Sequence, residues 1–276
     1  MKAFKSLIEE GFVFDSRRYI FEAWTLFKRN AASYLGFVVI SSAIQLALSF
    51  VPSIGSLLGT FVISPALGLG YYFATHQIKT TGSAAFSDFF GGFQHIIQIS
   101  LLTLLTYAIY LLVLSPTLFN FYQAGLLEWY QQLLDNPMEM PTELPTLPPK
   151  TTTVFFLNLI PLIFLAVAFI FSTQFLIFYR VNFLKSLEYS RLLVTRKWWS
   201  VFRMILSFIS LFFVAYFPVA LIATLVPSIG IFLLALLVLA AYFLIPVVYI
   251  ALYIAFADIT QLLINTSETI DSNPTS

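Results

Sequence analysis

Six stretches of the chain, 31–51, 53–75, 96–114, 154–179, 204–225 and 229–257, contain no Asp, Glu, Lys, Arg or His. Each comes close to or exceeds the roughly 20 residues that a helix needs to cross a hydrocarbon core. Backbone in lipid must satisfy its own N–H and C=O groups, which leaves helices or a closed barrel. The stretches are solidly apolar and do not alternate polar with apolar residues, so they read as helices. The expected fold is therefore all-α: a polytopic membrane protein with six transmembrane helices, forming a single integral membrane domain over 1–276. Composition agrees, since 10% charged residues lies far below the roughly 25% of a soluble domain. Zero cysteines rule out disulfides, thiolate metal sites and a cysteine nucleophile. Two histidines rule out a histidine-rich metal centre, and a net charge of +1 without a basic block argues against nucleic acid.

Orientation follows from the cations, which stay preferentially on the cytoplasmic side. With the N-terminus inside, 13 of the 14 Lys and Arg residues fall inside and only Lys150 falls outside. Glu128, Asp135, Glu139 and Glu143 share the outer side with it. Trp24, Trp129, Trp198 and Trp199 fall at helix ends or on flanking segments, where an indole N–H stays wet. The reading is a multi-pass protein of the bacterial inner membrane with both termini cytoplasmic. The first apolar stretch follows thirty residues that carry six cations, and no small-residue cleavage site follows it, so a cleaved signal peptide is not expected.

The pentapeptide Val51-Pro52-Ser53-Ile54-Gly55 recurs as Val226-Pro227-Ser228-Ile229-Gly230, each time joining two apolar stretches with almost no loop. Proline stops one helix, serine caps the next and glycine permits close approach, so Pro52, Gly55, Pro227 and Gly230 are read as structural corners. Upstream, Leu26, Arg29 and Ser33 align with Leu193, Arg196 and Ser200 at one offset. A diverged duplication in two parallel pseudo-repeats is the reading, against the alternative of two ordinary turns. Each unit opens with an amphipathic segment expected to lie in the cytoplasmic headgroup plane. In 1–30 its apolar set is Ile20, Phe21, Trp24 and Phe27, and in 182–200 it is Phe183, Leu184, Leu187, Leu193 and Trp198. Between the first three spans (31–114) and the last three (154–257), residues 115–153 form an outer loop. It consists of a surface helix over 118–134 and a linker holding Pro137, Pro141, Pro145, Pro148 and Pro149. Residues 258–276 read as a polar cytoplasmic tail.

No span carries an ionisable side chain, the usual mark of an ion-coupled transporter. Gln45, Thr103 and Asn158 are candidates to line a small polar cavity; the alternative is interhelical hydrogen bonding. Gly55 and Gly59 form a GxxxG continued by Gly68 and Gly70, read as packing within the monomer or as a homodimer face. Pro65 and Pro246 read as kinks or as breaks that open a mid-depth site. His76, Asp88 and His95 at the cytoplasmic ends of the second and third spans form a candidate metal or acid–base set, although no motif spacing supports it. No cofactor is expected.

The segments Trp24-Thr-Leu-Phe-Lys-Arg-Asn30, Val51–Gly55, Ser64-Pro-Ala-Leu-Gly-Leu-Gly70 and Phe86-Ser-Asp-Phe-Phe-Gly-Gly-Phe93 together resemble a group of bacterial six-span membrane proteins. The group includes the membrane domain fused to some glycerophosphodiester phosphodiesterases. The resemblance implies a six-helix membrane module and brings no catalytic residues, because the phosphodiesterase chemistry belongs to a separate soluble domain. The leading expectation is a non-enzymatic scaffold, accessory or lipid-interacting protein. Its expected partners are membrane lipids and either a membrane protein or a second copy. The alternatives are a facilitator or transporter for an apolar or amphipathic molecule and, third, an enzyme using His76, Asp88 and His95.

Overall fold

The computed structural model describes residues 11–51, 53–135 and 147–261, and among them there are helices and no strands. The helices are α1 (Ser16–Arg29), α2 (Ala31–Ser49), α3 (Ile54–Leu58), α4 (Ser64–Thr81), α5 (Ile96–Gln123), α6 (Leu126–Asp135), α7 (Pro149–Ala168), α8 (Ser172–Phe178), α9 (Phe183–Thr195), α10 (Trp198–Leu225) and α11 (Pro227–Thr260). A π-helical turn, Gly59–Ile63, links α3 to α4, and a 3₁₀ segment, Phe86–His95, leads into α5. Six helical stretches are long and apolar enough to cross a membrane: Ala31–Ser49, Ile54–Thr81, Phe86–Gln123, Pro149–Phe178, Trp198–Leu225 and Phe232–Thr260. The protein is a multi-pass membrane protein. The described residues fall into two compact units, one running to Leu102 and resuming at Ala168, the other spanning Thr103 to Val167.

The two corners share a tight approach at glycine but start their helices differently: α3 begins at Ile54, with no capping hydrogen bond from the Ser53 side chain, and α11 begins at Pro227, two pentapeptide positions earlier. A Cβ on Gly55 would collide with the carbonyl oxygen of Leu48, and one on Gly230 would collide with Ala223, in each case seven residues back. Only glycine lets the outgoing helix start against the incoming backbone. Ser53 adopts a positive φ of 58°, and Pro227 opens α11, where the missing N–H has no carbonyl to miss. Pro52 lies outside the described residues.

Lipid offers helices no hydrophobic gain on meeting, so the first unit packs through close backbone approach and polar pairs. Gly70 meets the carbonyl of Phe89 and Gly92 meets that of Ala66, seating α4 directly on the 3₁₀ segment. Around this seam Phe89 is fully buried, with ring centroids at 5.2 Å from Tyr34 and 4.9 Å from Phe37. Tyr71 stacks on Tyr249 of α11 at 4.8 Å. The Tyr34 and Thr75 hydroxyls pair at 2.9 Å, and Thr75 donates to the Tyr71 carbonyl at 2.6 Å. The fully buried Gln174, with its amide turned to suit its neighbours, accepts from the Tyr72 hydroxyl at 3.2 Å.

Several expectations change. In α1 the buried set is Tyr19, Ala23, Leu26 and Phe27, packed against α11. Phe21 and Trp24 are exposed, at 74% and 42%. Both rings belong to the apolar set read as facing the headgroup layer, and they stay outside the protein core; the sequence did not reveal the second face, of Tyr19, Ala23 and Leu26, that meets protein. In α9 the buried face is Ser186, Leu187, Ser190, Leu193 and Val194, while Leu184 is exposed. Ser190 explains the inclusion of hydroxyls: it donates to the Ala168 carbonyl at 2.7 Å and accepts from the Phe171 N–H at 3.1 Å, bridging the break between α7 and α8.

The loop expected from 115 does not begin there. α5 continues through Pro116 to Gln123, because the Ser115 hydroxyl donates at 2.8 Å to the Leu112 carbonyl that Pro116 leaves without an amide partner. Gly125, at φ 74°, then turns the chain into α6, and Pro149 begins α7. Pro137, Pro141 and Pro145 lie outside the described residues, as does the tail beyond Gln261. Pro65 follows the π turn near the start of α4, so its break is absorbed by local rewinding.

Candidate functional site

Where α4, the start of α5 and the end of α8 meet, the first unit holds a cavity of about 500 Å³. α4 supplies Phe73 and His76, three residues apart and so on one face. The junction between the 3₁₀ segment and α5 supplies His95 and Gln98 with the same spacing, and the chain leaving α8 supplies Phe178, Arg180 and Val181. α8 stops at Phe178, and the Tyr179 hydroxyl donates to the Thr260 carbonyl at 3.1 Å, fixing the exit. Arg180 sits at φ 49°, a left-handed conformation that costs a side-chain-bearing residue about 1–2 kcal/mol. Asn182 then caps α9, its side-chain oxygen accepting from the Lys185 N–H at 2.9 Å.

The His76 ring is held from one side. Its Nδ1 pairs with the Tyr253 hydroxyl at 2.6 Å, and Phe178 packs beside it with ring centroids 5.0 Å apart. This leaves Nε2 for the cavity. His95 lies nearly parallel to Phe73, at 12° and 5.8 Å. Among the described residues no carboxylate pairs with Arg180, and neither Asp nor Glu lines the cavity. The site is thus donor-rich and without fixed negative charge, with apolar walls from Phe73, Leu176, Phe178 and Val181.

A second cleft, about 270 Å³, is lined by Arg18, Glu22, Lys79, Asp258 and Gln261 among others. Its charges are paired: Arg18 with Asp258 and Lys79 with Glu22. The Tyr19 hydroxyl donates to Asp258 at 2.7 Å. Burial first, and the Asp258 carboxylate second, push the Tyr19 hydroxyl above the ordinary tyrosine range. This cleft stitches α1 to α4 and α11. A third space, about 430 Å³ between α10 and α11, is walled by Phe208, Phe212, Leu244, Val248 and other almost wholly apolar side chains.

Of the residues singled out in the sequence, His76 and His95 do come together around one cavity. Asp88 does not join them. Its carboxylate accepts from the Ala85 N–H at 2.8 Å and caps the 3₁₀ segment. Among the described residues no three His, Cys, Asp or Glu side chains gather to hold a metal ion, so the His76, Asp88 and His95 set does not assemble. The proposed cavity-lining residues have local partners. Gln45 donates to the Ser64 hydroxyl at 2.5 Å within the first unit, and Asn158 donates to the Thr117 hydroxyl at 2.9 Å within the second. Thr103, on α5, also belongs to the second unit and is half-buried. Arg180 and Gln98 were missed by sequence reasoning. The available signal was Arg180's position as the cation that ends the fourth apolar stretch.

No family model, curated protein or solved structure matches the chain. Its function is read from this geometry.

Proposed function

We propose that the chain is a non-enzymatic, lipid-interacting scaffold or accessory protein of a bacterial inner membrane, with both termini cytoplasmic. The carrying observation is the two-faced α1. One face, Tyr19, Ala23, Leu26 and Phe27, is buried. The other carries Arg17, Phe21, Trp24 and Lys28 in an exposed stripe at helical spacing. Within it the Lys28 ammonium lies 5.8 Å from the Trp24 ring centroid. Aromatics flanked by cations on an exposed helical stripe suit the headgroup layer, where rings enter the acyl boundary and cations meet anionic lipid. Trp199, 70% exposed at the start of α10 beside Arg196 and Lys197, adds a second anchor of the same type.

The test is fluorescence quenching of the full chain in vesicles, with Trp24 kept as the sole tryptophan by Trp129→Phe, Trp198→Phe and Trp199→Phe. Lipids brominated near the headgroup should quench Trp24, more so in anionic than in zwitterionic vesicles. The combined Arg17→Gln and Lys28→Gln variant should remove that difference. Water-like emission that brominated lipid leaves unchanged would refute the reading.

A facilitator for an apolar or amphipathic molecule is the second reading. It is favoured by the apolar space between α10 and α11, helices that carry Pro218 and Pro246. Uptake of such a molecule by proteoliposomes distinguishes it.

A further inference from the structure

We infer that the cavity of Arg180, His95, Gln98 and His76 is a binding site for a phosphate oxyanion at the membrane boundary. The inference requires the membrane-spanning fold and is independent of the α1 surface reading. Three elements bring polar groups to one space: a guanidinium from the exit of α8, an imidazole and a carboxamide from the start of α5, and the His76 ring edge from α4, which donates when Nδ1 accepts from the Tyr253 hydroxyl. No acidic side chain lines this cavity, and Arg180 has no carboxylate partner among the described residues. A planar guanidinium fork matches two phosphate oxygens at once, leaving the third for an imidazole or amide N–H.

The contrast with the neighbouring cleft is informative. There Arg18 and Lys79 each meet a carboxylate, whereas Arg180 lies with two imidazoles and a carboxamide in a cavity that no carboxylate lines. Arg180 also occupies a backbone conformation that glycine adopts without strain. An arginine at that position costs stability that a glycine would not, a cost expected where a side chain serves binding. Apolar walls beside the donors suit a phosphate attached to a hydrocarbon-bearing body. Two sources share this chemistry, an anionic lipid headgroup and a soluble phosphate compound.

The chain has two histidines, so full-length protein labelled with ¹⁵N-histidine gives two imidazole signal sets, assigned with His76→Gln. The protein is placed in nanodiscs of phosphatidylcholine, a phosphodiester lipid without net charge that lacks the third free oxygen of a phosphomonoester. It is then titrated with inorganic phosphate or rebuilt with increasing phosphatidic acid. The His95 ring signals should shift and saturate. A response to inorganic phosphate identifies a soluble source, and a response to phosphatidic acid alone identifies the lipid. In Arg180→Gly the midpoint should rise at least about tenfold, the loss of one charge-assisted hydrogen bond. The thermal midpoint should hold or rise as the backbone relaxes, which separates lost binding from lost folding. Gln98→Leu should weaken the response to a smaller degree. The inference is overturned if neither titrant moves the His95 signals, or if Arg180→Gly responds like the parent protein.

Discussion

Replacing Gly70 with alanine poses a defined steric problem. The added Cβ would collide with the Phe89 carbonyl oxygen and lie 3.0 Å from the Phe37 ring. The oxygen belongs to backbone and cannot swing aside, so α4 and the 3₁₀ segment must part by about 1 Å, enough to forfeit a quarter to a half of each dispersion contact across the seam. Phe89, fully buried between Tyr34 and Phe37, loses most. Overpacking of this kind costs about 1–3 kcal/mol, while alanine returns up to about 1 kcal/mol of helix propensity. The net expectation is a destabilisation of about 1–2 kcal/mol. Gly92→Ala meets the Ala66 carbonyl across the same seam, and a seam opened once need not be opened again. The double variant should therefore cost less than the sum of the two singles. Gly91→Ala is the control, since its Cβ would meet only the Phe73 side chain, at 3.3 Å. Reversible unfolding in mixed micelles, followed by tryptophan emission as the denaturing detergent fraction rises, reads all four variants. If Gly70→Ala matches Gly91→Ala, or if the Gly70 and Gly92 effects simply add, the backbone-to-backbone seam is wrong.

Three further outcomes follow from contacts described above. The folded Tyr19 pKa lies above its unfolded value, so its contribution is complete below the ordinary tyrosine range of about 10 and is lost as pH rises through and beyond it. Docking of α1, read by disulfide formation between Glu22→Cys and Lys79→Cys in this otherwise cysteine-free chain, should weaken at alkaline pH, and Tyr19→Phe should flatten that dependence. Asn158→Leu removes the hydrogen bond to Thr117 and should cost about 0.6 kcal/mol, the usual value in membranes, in the same unfolding assay. Ser115→Ala frees the Leu112 carbonyl beside Pro116 and should raise amide hydrogen exchange around 112–118, with Ser115→Thr restoring protection.

The spans and corners were legible because charge exclusion over about 20 residues has one physical solution in lipid. Gly55 and Gly230 were legible because a near-zero loop between helices requires close approach. The protein-facing side of α1 was not, because the apolar set was read as meeting the headgroup layer and the small Ala23 gives hydropathy no signal for a second buried face. The end of α5 was not legible at 114, because the helix runs on through Pro116 to Gln123 with the Ser115 hydroxyl bonded to the Leu112 carbonyl. At the candidate site, His76 and His95 were conspicuous as the two histidines of the chain. Arg180 was one cation among fourteen, and its placement beside both histidines is a property of three dimensions. Asp88 shared a sequence neighbourhood with the histidines, but its carboxylate is used three residues away.

The docking of α1 on α11 also orders events during synthesis. Tyr19 and Asp258 are separated by 239 residues, so the first described helix leaves the ribosome long before its partner. Until α11 is inserted, the face of Tyr19, Ala23, Leu26 and Phe27 lacks the helix that covers most of it, and the stripe of Arg17, Phe21, Trp24 and Lys28 is what α1 has for holding to the bilayer. Closure of the first unit is then a late event joining the two ends of the described chain. A nascent protein arrested before α11 would keep α1 accessible to chaperones and proteases, and completion of the last helix would be the step that withdraws it.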